Sequence, residues 1–180
     1  MNLRVLVLSH NAFSQTQNNG KTLESFFQKW DKDSLAQIYL QPEEPDFSFC
    51  DNYYCMSDYE ILNYYISHGK IGINVKNDNT QAVNLGGTVR RLYEQKAQER
   101  ENRRGLNAYI HKKFVERKPA FVLAREIMWK HARWNTEELT GWIADFNPDV
   151  LFFQGSSCSF AYEIADSICS IFHIPLVLEL

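Results

Sequence analysis

The sequence predicts an α/β fold: a Rossmann-like, doubly wound parallel sheet with a helical insertion. Short apolar runs, typical of strands that are buried on both faces of a sheet, alternate with segments whose apolar residues recur at helical spacing. Strands separated by helices in this way form parallel βαβ units. With 180 residues, the chain is long enough for one domain with a substantial core. We therefore expect residues 1–180 to form a single domain.

Five apolar runs are the expected strands. Their apolar character is nearly continuous, as expected for strands in the interior of a parallel sheet. The runs are Leu3–Leu8, Leu35–Leu40, Tyr53–Met56, Asp149–Gln154 and Leu176–Leu180.

Helical spacing marks the segments between these runs. Leu23, Phe26, Phe27 and Trp30, for example, stand at i, i+3, i+4 and i+7. The other expected helices cover residues 58–65, 121–132, 135–146 and 161–172. Their N-terminal caps are predicted at Asp58 and at Asn135, because short polar side chains at these positions accept hydrogen bonds from free backbone N–H groups. Glu138 adds the spacing of a capping box.

Residues 67–118 break this alternation and are predicted to be an insertion with one or two exposed helices. Within the insertion, residues 90–118 contain ten Lys and Arg against four Asp and Glu, a net charge of +6. The rest of the chain has nine against eighteen, a net charge of −9. This asymmetry indicates either a local anionic partner or a strongly solvated helix.

Composition excludes several classes of protein. No apolar run is long enough to span a bilayer, and the N-terminus lacks the features of a signal peptide. Cys50, Cys55, Cys158 and Cys169 contain no CxxC pair, which predicts free thiols in a reducing cytoplasm. A zinc site built from Cys50, Cys55 and a histidine is the less favoured alternative, and we expect no metal.

The stretch SHNAFSQTQNNGKTLESFF, residues 9–27, has the strand, glycine loop and helix layout of a phosphate-binding loop. Gly20, Lys21 and Thr22 match the second half of the P-loop pattern, but its first glycine is replaced by Gln15. The loop is also long, and no strand ends in the Asp that would bind magnesium. These differences from the P-loop pattern argue against a nucleoside triphosphatase.

The strand, loop and helix layout still predicts an anion site, even without a P-loop. Asn19 or Thr22 is expected to cap the helix, whose first N–H groups would then form an anion site at the carboxyl edge of the sheet. The stretch QGSSCS, residues 154–159, opens another helix at that edge. The two loops should face each other where the strand order reverses, although each alone is equally typical of ordinary turns and caps.

The second half of the chain, LAREIMWKHARWNTEELTGWIADFNPDVLFFQGSSCSFAYEIADSICSIFHIPLVLEL, resembles the N-terminal domain of family 4-like GT-B glycosyltransferases. Enzymes of this kind build bacterial capsular and other surface polysaccharides. The start, RVLVLSHNAFSQTQNNGKTL, is similar to the family's first strand and glycine-bearing loop. The resemblance covers the chain except residues 67–118. It implies a hexosyltransferase-type enzyme in which this domain receives the acceptor, while a C-terminal domain, absent from this chain, holds the nucleotide-sugar donor.

The resemblance also implies site residues. Asn19, Gly20 and Lys21 would border the donor diphosphate or the acceptor, although the family often has two adjacent glycines where this chain has Asn19 and Gly20. Lys21 could offset negative charge on the leaving nucleotide. The loop residues expected to line the cleft floor are Gly155, Ser156 and Ser157.

The residues that would carry acid–base chemistry are less well defined. The catalytic candidates are His10, at the end of the first strand, and Glu179, in the last. Each also fits the ordinary role of a polar residue at the end of a strand. No metal or other cofactor is expected besides the nucleotide-sugar substrate.

The partners follow from the same resemblance. Acceptors in surface-polysaccharide assembly are commonly lipid-linked, so we expect a cytoplasmic protein that works at the inner membrane face, with residues 90–118 against anionic lipid. A solvated surface helix is the alternative for that segment. Nucleic acid is not expected, because no recognition motif is present. The alternative for the whole chain is a stand-alone α/β ligand-binding or regulatory module.

Overall fold

A computed structural model describes residues 3–14, 18–76 and 119–179 of the protein, and the side chains of most of them. The described residues form one six-stranded sheet and five α-helices. The strands are β1 Val5–Ser9, β2 Leu35–Tyr39, β3 Asn52–Cys55, β4 Ile73–Lys76, β5 Val150–Gln154 and β6 Leu176–Glu179. The helices are α1 Asn18–Phe27, α2 Asp58–Ser67, α3 Pro119–His131, α4 Glu137–Phe146 and α5 Ser159–Phe172.

The sheet has the strand order β4-β3-β2-β1-β5-β6. All neighbouring strands are parallel except β4, which runs antiparallel to β3 at one edge. The chain moves outward from β1 through β2 and β3, and it later returns to the other side of β1 as β5. The predicted Rossmann-like α/β fold is thus confirmed, and the strand order reverses at the carboxyl ends of β1 and β5.

Helices cover both faces of the sheet, so side chains of alternating strand residues enter two separate cores. Val5 and Val7 face α1, where they pack with Leu23 and Phe27. Leu6 and Leu8 face the opposite side, where α2, α3, α4 and α5 lie. The predicted apolar faces of α4 and α5 are buried there: Leu139, Ile143, Phe146, Ala161, Ile164, Ala165 and Ile168.

The fourth strand, β4, was not expected. It lies in the first part of residues 67–118, which the sequence predicts to be an insertion outside the sheet. The strand has only four residues, and Asn74 and Lys76 interrupt its apolar character, so it does not resemble the buried parallel strands. Residues 77–118, including the basic residues 90–118 and their predicted contact with lipid, lie outside the described residues.

Three predicted helix caps are wrong. Asn19 and Thr22 lie inside α1, which already includes Asn18. The cap of α4 is Thr136 rather than Asn135, and its hydroxyl accepts a hydrogen bond from Leu139 N at 3.2 Å.

The cap before α2 is Ser57. Its N–H donates to the Glu60 carboxylate at 2.7 Å, which is one half of a capping box. Asp58, the predicted cap, instead binds residues of α3.

The strands begin and end close to their predicted positions. Leu3 is the main difference, because it is half exposed and precedes β1. Among the described helices, none has the length and apolar character required to cross a membrane.

Candidate functional site

The candidate site lies where the strand order reverses, at the carboxyl ends of β1 and β5. Residues 10–14 follow β1, and residues 155–158 connect β5 to α5. Because β1 and β5 are adjacent and parallel, these two loops leave the sheet side by side, as predicted. In open α/β sheets this crevice is the usual place for a ligand.

The loop after β1 is held by two side chains from the β2 region. The fully buried amide of Gln37 accepts from Phe13 N at 2.9 Å and donates to Ser9 Oγ at 2.7 Å and to the Asn11 carbonyl oxygen at 3.0 Å. Glu43 accepts from Ala12 N at 2.5 Å. Burial raises the pKa of the Glu43 carboxyl, although the hydrogen bonds from Ala12 N and from the Asn11 amide act in the opposite direction.

The loop after β5 is held from the opposite face by α3. The Glu126 carboxylate accepts hydrogen bonds from the backbone N–H of Ser159 at 3.2 Å and of Phe160 at 3.0 Å, and also from the Ser159 hydroxyl. Within the loop, Ser156 Oγ accepts from Cys158 N at 3.2 Å. Glu126 therefore supplies the negative charge that the N-terminus of α5 favours.

These contacts bear directly on the predicted anion site. The N–H groups of Ala12, Phe13, Cys158, Ser159 and Phe160 all donate to side chains of the protein itself. A phosphate cradle requires such groups to be free. In the described parts of the two loops, these five donors are already satisfied.

A partly buried arginine links the segments that follow two strands, β3 and β5. Arg125 on α3 donates through Nε to both carboxylate oxygens of Asp58, at 2.8 and 2.9 Å, and through Nη1 to Cys158 Sγ at 2.8 Å. Its guanidinium also lies over the Phe160 ring, 4.8 Å from the ring centroid, which is close enough for a cation–π contact. Burial lowers the pKa of Arg125, but the charge and hydrogen bonds of Asp58 and the contact with Cys158 outweigh burial and raise it.

The position of Arg125 follows from the strand order. Asp58 stands just after β3 and Cys158 just after β5, while β2 and β1 lie between these strands. By contacting both residues, Arg125 joins the segments that follow β3 and β5 on the two sides of β2 and β1. Trp129, one turn further along α3, donates to Asp58 Oδ1 at 2.7 Å and stacks on Phe160 with a centroid distance of 4.4 Å, which anchors α3 in place.

His10 directly follows β1 and is the predicted catalytic candidate nearest to Arg125. Its Nε2 lies 2.8 Å from the amide nitrogen of Gln41, while Nδ1 is buried and has no hydrogen-bond partner. The pKa of His10 is lowered, first by burial and then by the Arg125 charge, with Asp58 acting in the opposite direction. The ring is therefore biased towards its neutral form.

The other predicted site residues are more scattered. Gly20 is buried against the β1 loop, where a Cβ would clash with the Ala12 carbonyl oxygen and lie 2.9 Å from Ser14 Cβ. Its role in the structure is thus to allow close packing of α1. Lys21 is exposed on α1, and Asn19 lies in the first turn, with its side chain outside the described atoms.

The predicted residues near β5 lie along one edge. Gly155 N donates to the Glu179 carbonyl oxygen at 2.7 Å, so these two residues continue the pairing of β5 with β6. Ser156 caps within the loop, and Ser157 is exposed. Glu179 is separated from His10 by the width of β5, and the structure brings no described carboxylate of β6 beside the histidine.

Sequence reasoning did not identify Asp58, Arg125, Glu43 or Glu126 as members of this site. Asp58 and Arg125 are 67 positions apart, so no local spacing could reveal their contact. The SxxE pattern of Ser57 and Glu60 was the available signal that Asp58 is free to bind elsewhere.

All four cysteines have free thiols, three of them buried, and Cys50 Sγ donates to the Leu35 carbonyl oxygen at 3.2 Å. Among the residues that the structure describes, no group of three His, Cys, Asp or Glu side chains could hold a metal ion.

No protein-family model matches the chain, and comparisons with curated proteins and with solved structures yield no match.

Proposed function

We propose that this chain is the acceptor-side domain of a GT-B glycosyltransferase, which moves a sugar from a nucleotide-sugar to a glycan or lipid-linked acceptor. The observation that carries the proposal is the pair of closed loops at the point where the strand order reverses. The crevice is in the usual ligand position of the fold, yet five of its described backbone donors bind Gln37, Glu43, Glu126 and Ser156.

This arrangement suits an acceptor better than a donor. A nucleotide-sugar presents a diphosphate, and proteins usually bind one with free N–H groups at a loop and helix N-terminus. An acceptor presents hydroxyl groups, which side chains such as His10 can bind and polarise. The diphosphate would then be held mainly by a second domain across the cleft.

The reaction needs both cleft walls. Transfer requires the acceptor hydroxyl to lie in line with the anomeric carbon of the donor, and most of the rate gain comes from that positioning. In this proposal His10 is the group closest to the acceptor, and its neutral imidazole could accept the hydroxyl proton. Lys21, Gly155, Ser156 and Ser157 remain proposed contacts, and anionic lipid remains a proposed partner of residues 90–118.

The test compares the 180-residue chain with a longer chain that includes a donor domain. We expect the 180-residue chain to transfer no sugar from a panel of nucleotide-sugars and to bind them weakly. The longer chain should transfer sugar, and His10→Ala should reduce its rate with little change in donor affinity. Robust transfer by residues 1–180 alone would show that the two-domain proposal is wrong. Ligand binding without transfer by either chain would instead favour a stand-alone binding module.

A further inference from the structure

Gln41, two residues after β2, contacts the ring of His10 from the end of the neighbouring strand. Its amide nitrogen lies 2.8 Å from His10 Nε2, which is a hydrogen-bond distance. The two backbones are joined as well, because Gln41 N donates to the His10 carbonyl oxygen at 2.9 Å. The Gln41 carbonyl oxygen in turn accepts from Glu43 N at 2.9 Å. The side-chain contact therefore joins two residues whose backbones are held in place.

The atom that Gln41 presents determines where the proton lies on the histidine ring. An amide nitrogen only donates, so Nε2 accepts, and the proton of the neutral ring lies on Nδ1. The ring is biased towards this neutral form, because burial and the charge of Arg125 lower the pKa of His10, with Asp58 acting in the opposite direction. In the described orientation of Gln41, His10 is thus a hydrogen-bond donor at Nδ1.

Nδ1 is the ring nitrogen that the described part of the protein leaves without a partner, whereas Nε2 is occupied by Gln41. His10 directly follows β1, at the edge where the strand order reverses and ligands usually bind. A ligand that reaches the ring would therefore meet the chemistry of Nδ1, and that chemistry depends on the contact made by Nε2.

A glutamine amide keeps nearly the same shape when it is turned over, because its oxygen and its nitrogen differ little in size. Turned over, Gln41 would present its oxygen to the ring. His10 would then donate from Nε2 and carry a free lone pair on Nδ1.

We propose that Gln41 is a positioning residue for His10: the amide atom that faces Nε2 decides whether Nδ1 donates or accepts a proton. The inference rests on the proposed function for the use of Nδ1, because only the turned-over form can take the proton of an acceptor hydroxyl at that nitrogen. It adds to that function the residue that permits or prevents the step.

The tautomer of His10 tests the inference without any ligand. Nitrogen-15 NMR of the 180-residue chain distinguishes a ring that carries its proton on Nδ1 from one that carries it on Nε2. His10→Asn, which lacks the ring, identifies the His10 signals among those of the five histidines. At a pH above the pKa of His10, we expect the Nδ1–H form. An Nε2–H form in the parent chain would overturn the inference.

Gln41→Glu then changes the atom that faces the ring. Its ionised carboxylate offers only acceptors, so the neutral ring should carry its proton on Nε2. The pKa of His10 should rise by about one pH unit or more, because the new negative charge favours the imidazolium. Gln28→Glu adds the same charge at an exposed position and is the matched control, in which the tautomer and the pKa should stay as in the parent.

A folded Gln41→Glu variant with an unchanged tautomer would contradict the role of Gln41. Near-UV circular dichroism of the stacked Trp129 monitors the fold of the variant. If the variant does not fold, the tautomer of the parent chain still decides, since an Nε2–H ring there is incompatible with the contact that Gln41 makes.

The longer chain tests the use of Nδ1 in sugar transfer. If Nδ1 accepts the hydroxyl proton, the acid limb of the pH–rate profile follows the pKa of His10 and should move to higher pH in Gln41→Glu. Gln28→Glu should leave the profile in place. A loss of rate that is equal at all pH values would reduce Gln41 to a structural role. The tautomers are measured without transfer, so a longer chain that transfers no sugar would contradict the proposed function and not the contact of Gln41 with His10.

Discussion

The two loops at the candidate site are closed in the same way but by supports of different strength. A carboxylate binds backbone N–H groups in each: Glu43 in the loop after β1, and Glu126 at the start of α5. The β1 loop is also bound by Gln37, which is fully buried in the neighbouring strand. The β5 loop depends on α3, whose Glu126 is half-buried and reaches it from the outer layer of the fold.

This difference in burial between the two sets of hydrogen bonds predicts which wall of the crevice is the more rigid. Hydrogen bonds of the β1 loop are formed inside a core, where breaking them leaves buried groups unpaired. Hydrogen bonds of the β5 loop are nearer to solvent, where water can replace a lost partner. We therefore expect the β1 loop to act as a fixed wall, and the β5 loop to follow the position of α3.

The largest effect is expected from Gln37→Leu. It removes the acceptor of Phe13 N–H and the donor to Ser9 Oγ, both inside the core. The free energy of unfolding should fall by about 2–4 kcal/mol, as for other buried polar networks. Urea denaturation measures this, with exposed Gln28→Leu as the control, expected within about 0.5 kcal/mol of the parent. A loss below that level for Gln37→Leu would show that the β1 loop is not held by its buried network.

A smaller loss is expected from Gly20→Ala, which tests the packing of α1 on the β1 loop. The new Cβ would clash with the Ala12 carbonyl oxygen, so the backbone must move, at a cost of about 1–3 kcal/mol. Gly141 in α4 is the matched control, because a Cβ there meets nothing within 4 Å. Gly141→Ala should stabilise the protein by about 0.5–1 kcal/mol. Thermal unfolding of both variants should thus show shifts of opposite sign, and equal signs would contradict the close packing at Gly20.

A loss of about 1 kcal/mol is expected from Glu126→Ala, which removes the cap of α5. Hydrogen exchange should reveal where the loss occurs, because the N–H groups of Ser159 and Phe160 lose their acceptor. Their protection should drop, while that of Phe13 in the β1 loop should not. Asp166→Ala, at an exposed position further along α5, is the control. Loss of protection in both loops would mean that they are not independent.

The smallest effect concerns pH and Glu43. Its pKa is raised above the usual value of 4.5, so the folded state holds this proton more tightly than the unfolded state. The stability gained from the proton is complete below pH 4.5 and is lost as pH rises through the folded pKa. Glu43→Gln keeps an oxygen acceptor for Ala12 N–H but does not titrate. Urea denaturation should be measured from below pH 4.5 upward. The free energy of unfolding of the parent, relative to that of the variant, should fall as pH rises. A constant or rising difference would contradict the raised pKa.

The sequence by itself determined the architecture of this protein. Continuous apolar runs located five of the six described strands, because burial on both faces of a parallel sheet leaves a strong apolar signal, and helical spacing located the buried faces of α4 and α5. The two loops were also expected beside each other, since adjacent parallel strands end at one edge. Patterns of this kind depend only on residues that are close in sequence.

Only the tertiary structure decided what those loops can bind. Short polar residues such as Asn19 and Asn135 are typical caps. Yet Asn19 lies inside α1, and Thr136 caps α4 in place of Asn135, because packing that local sequence does not encode sets where each helix begins. The side chains that bind the loops from outside are 24 to 34 positions away, as with Gln37 and Phe13 or Glu126 and Phe160. A backbone N–H group is free or satisfied according to such distant side chains, and this is why a typical anion-binding layout in the sequence became two closed loops in the fold.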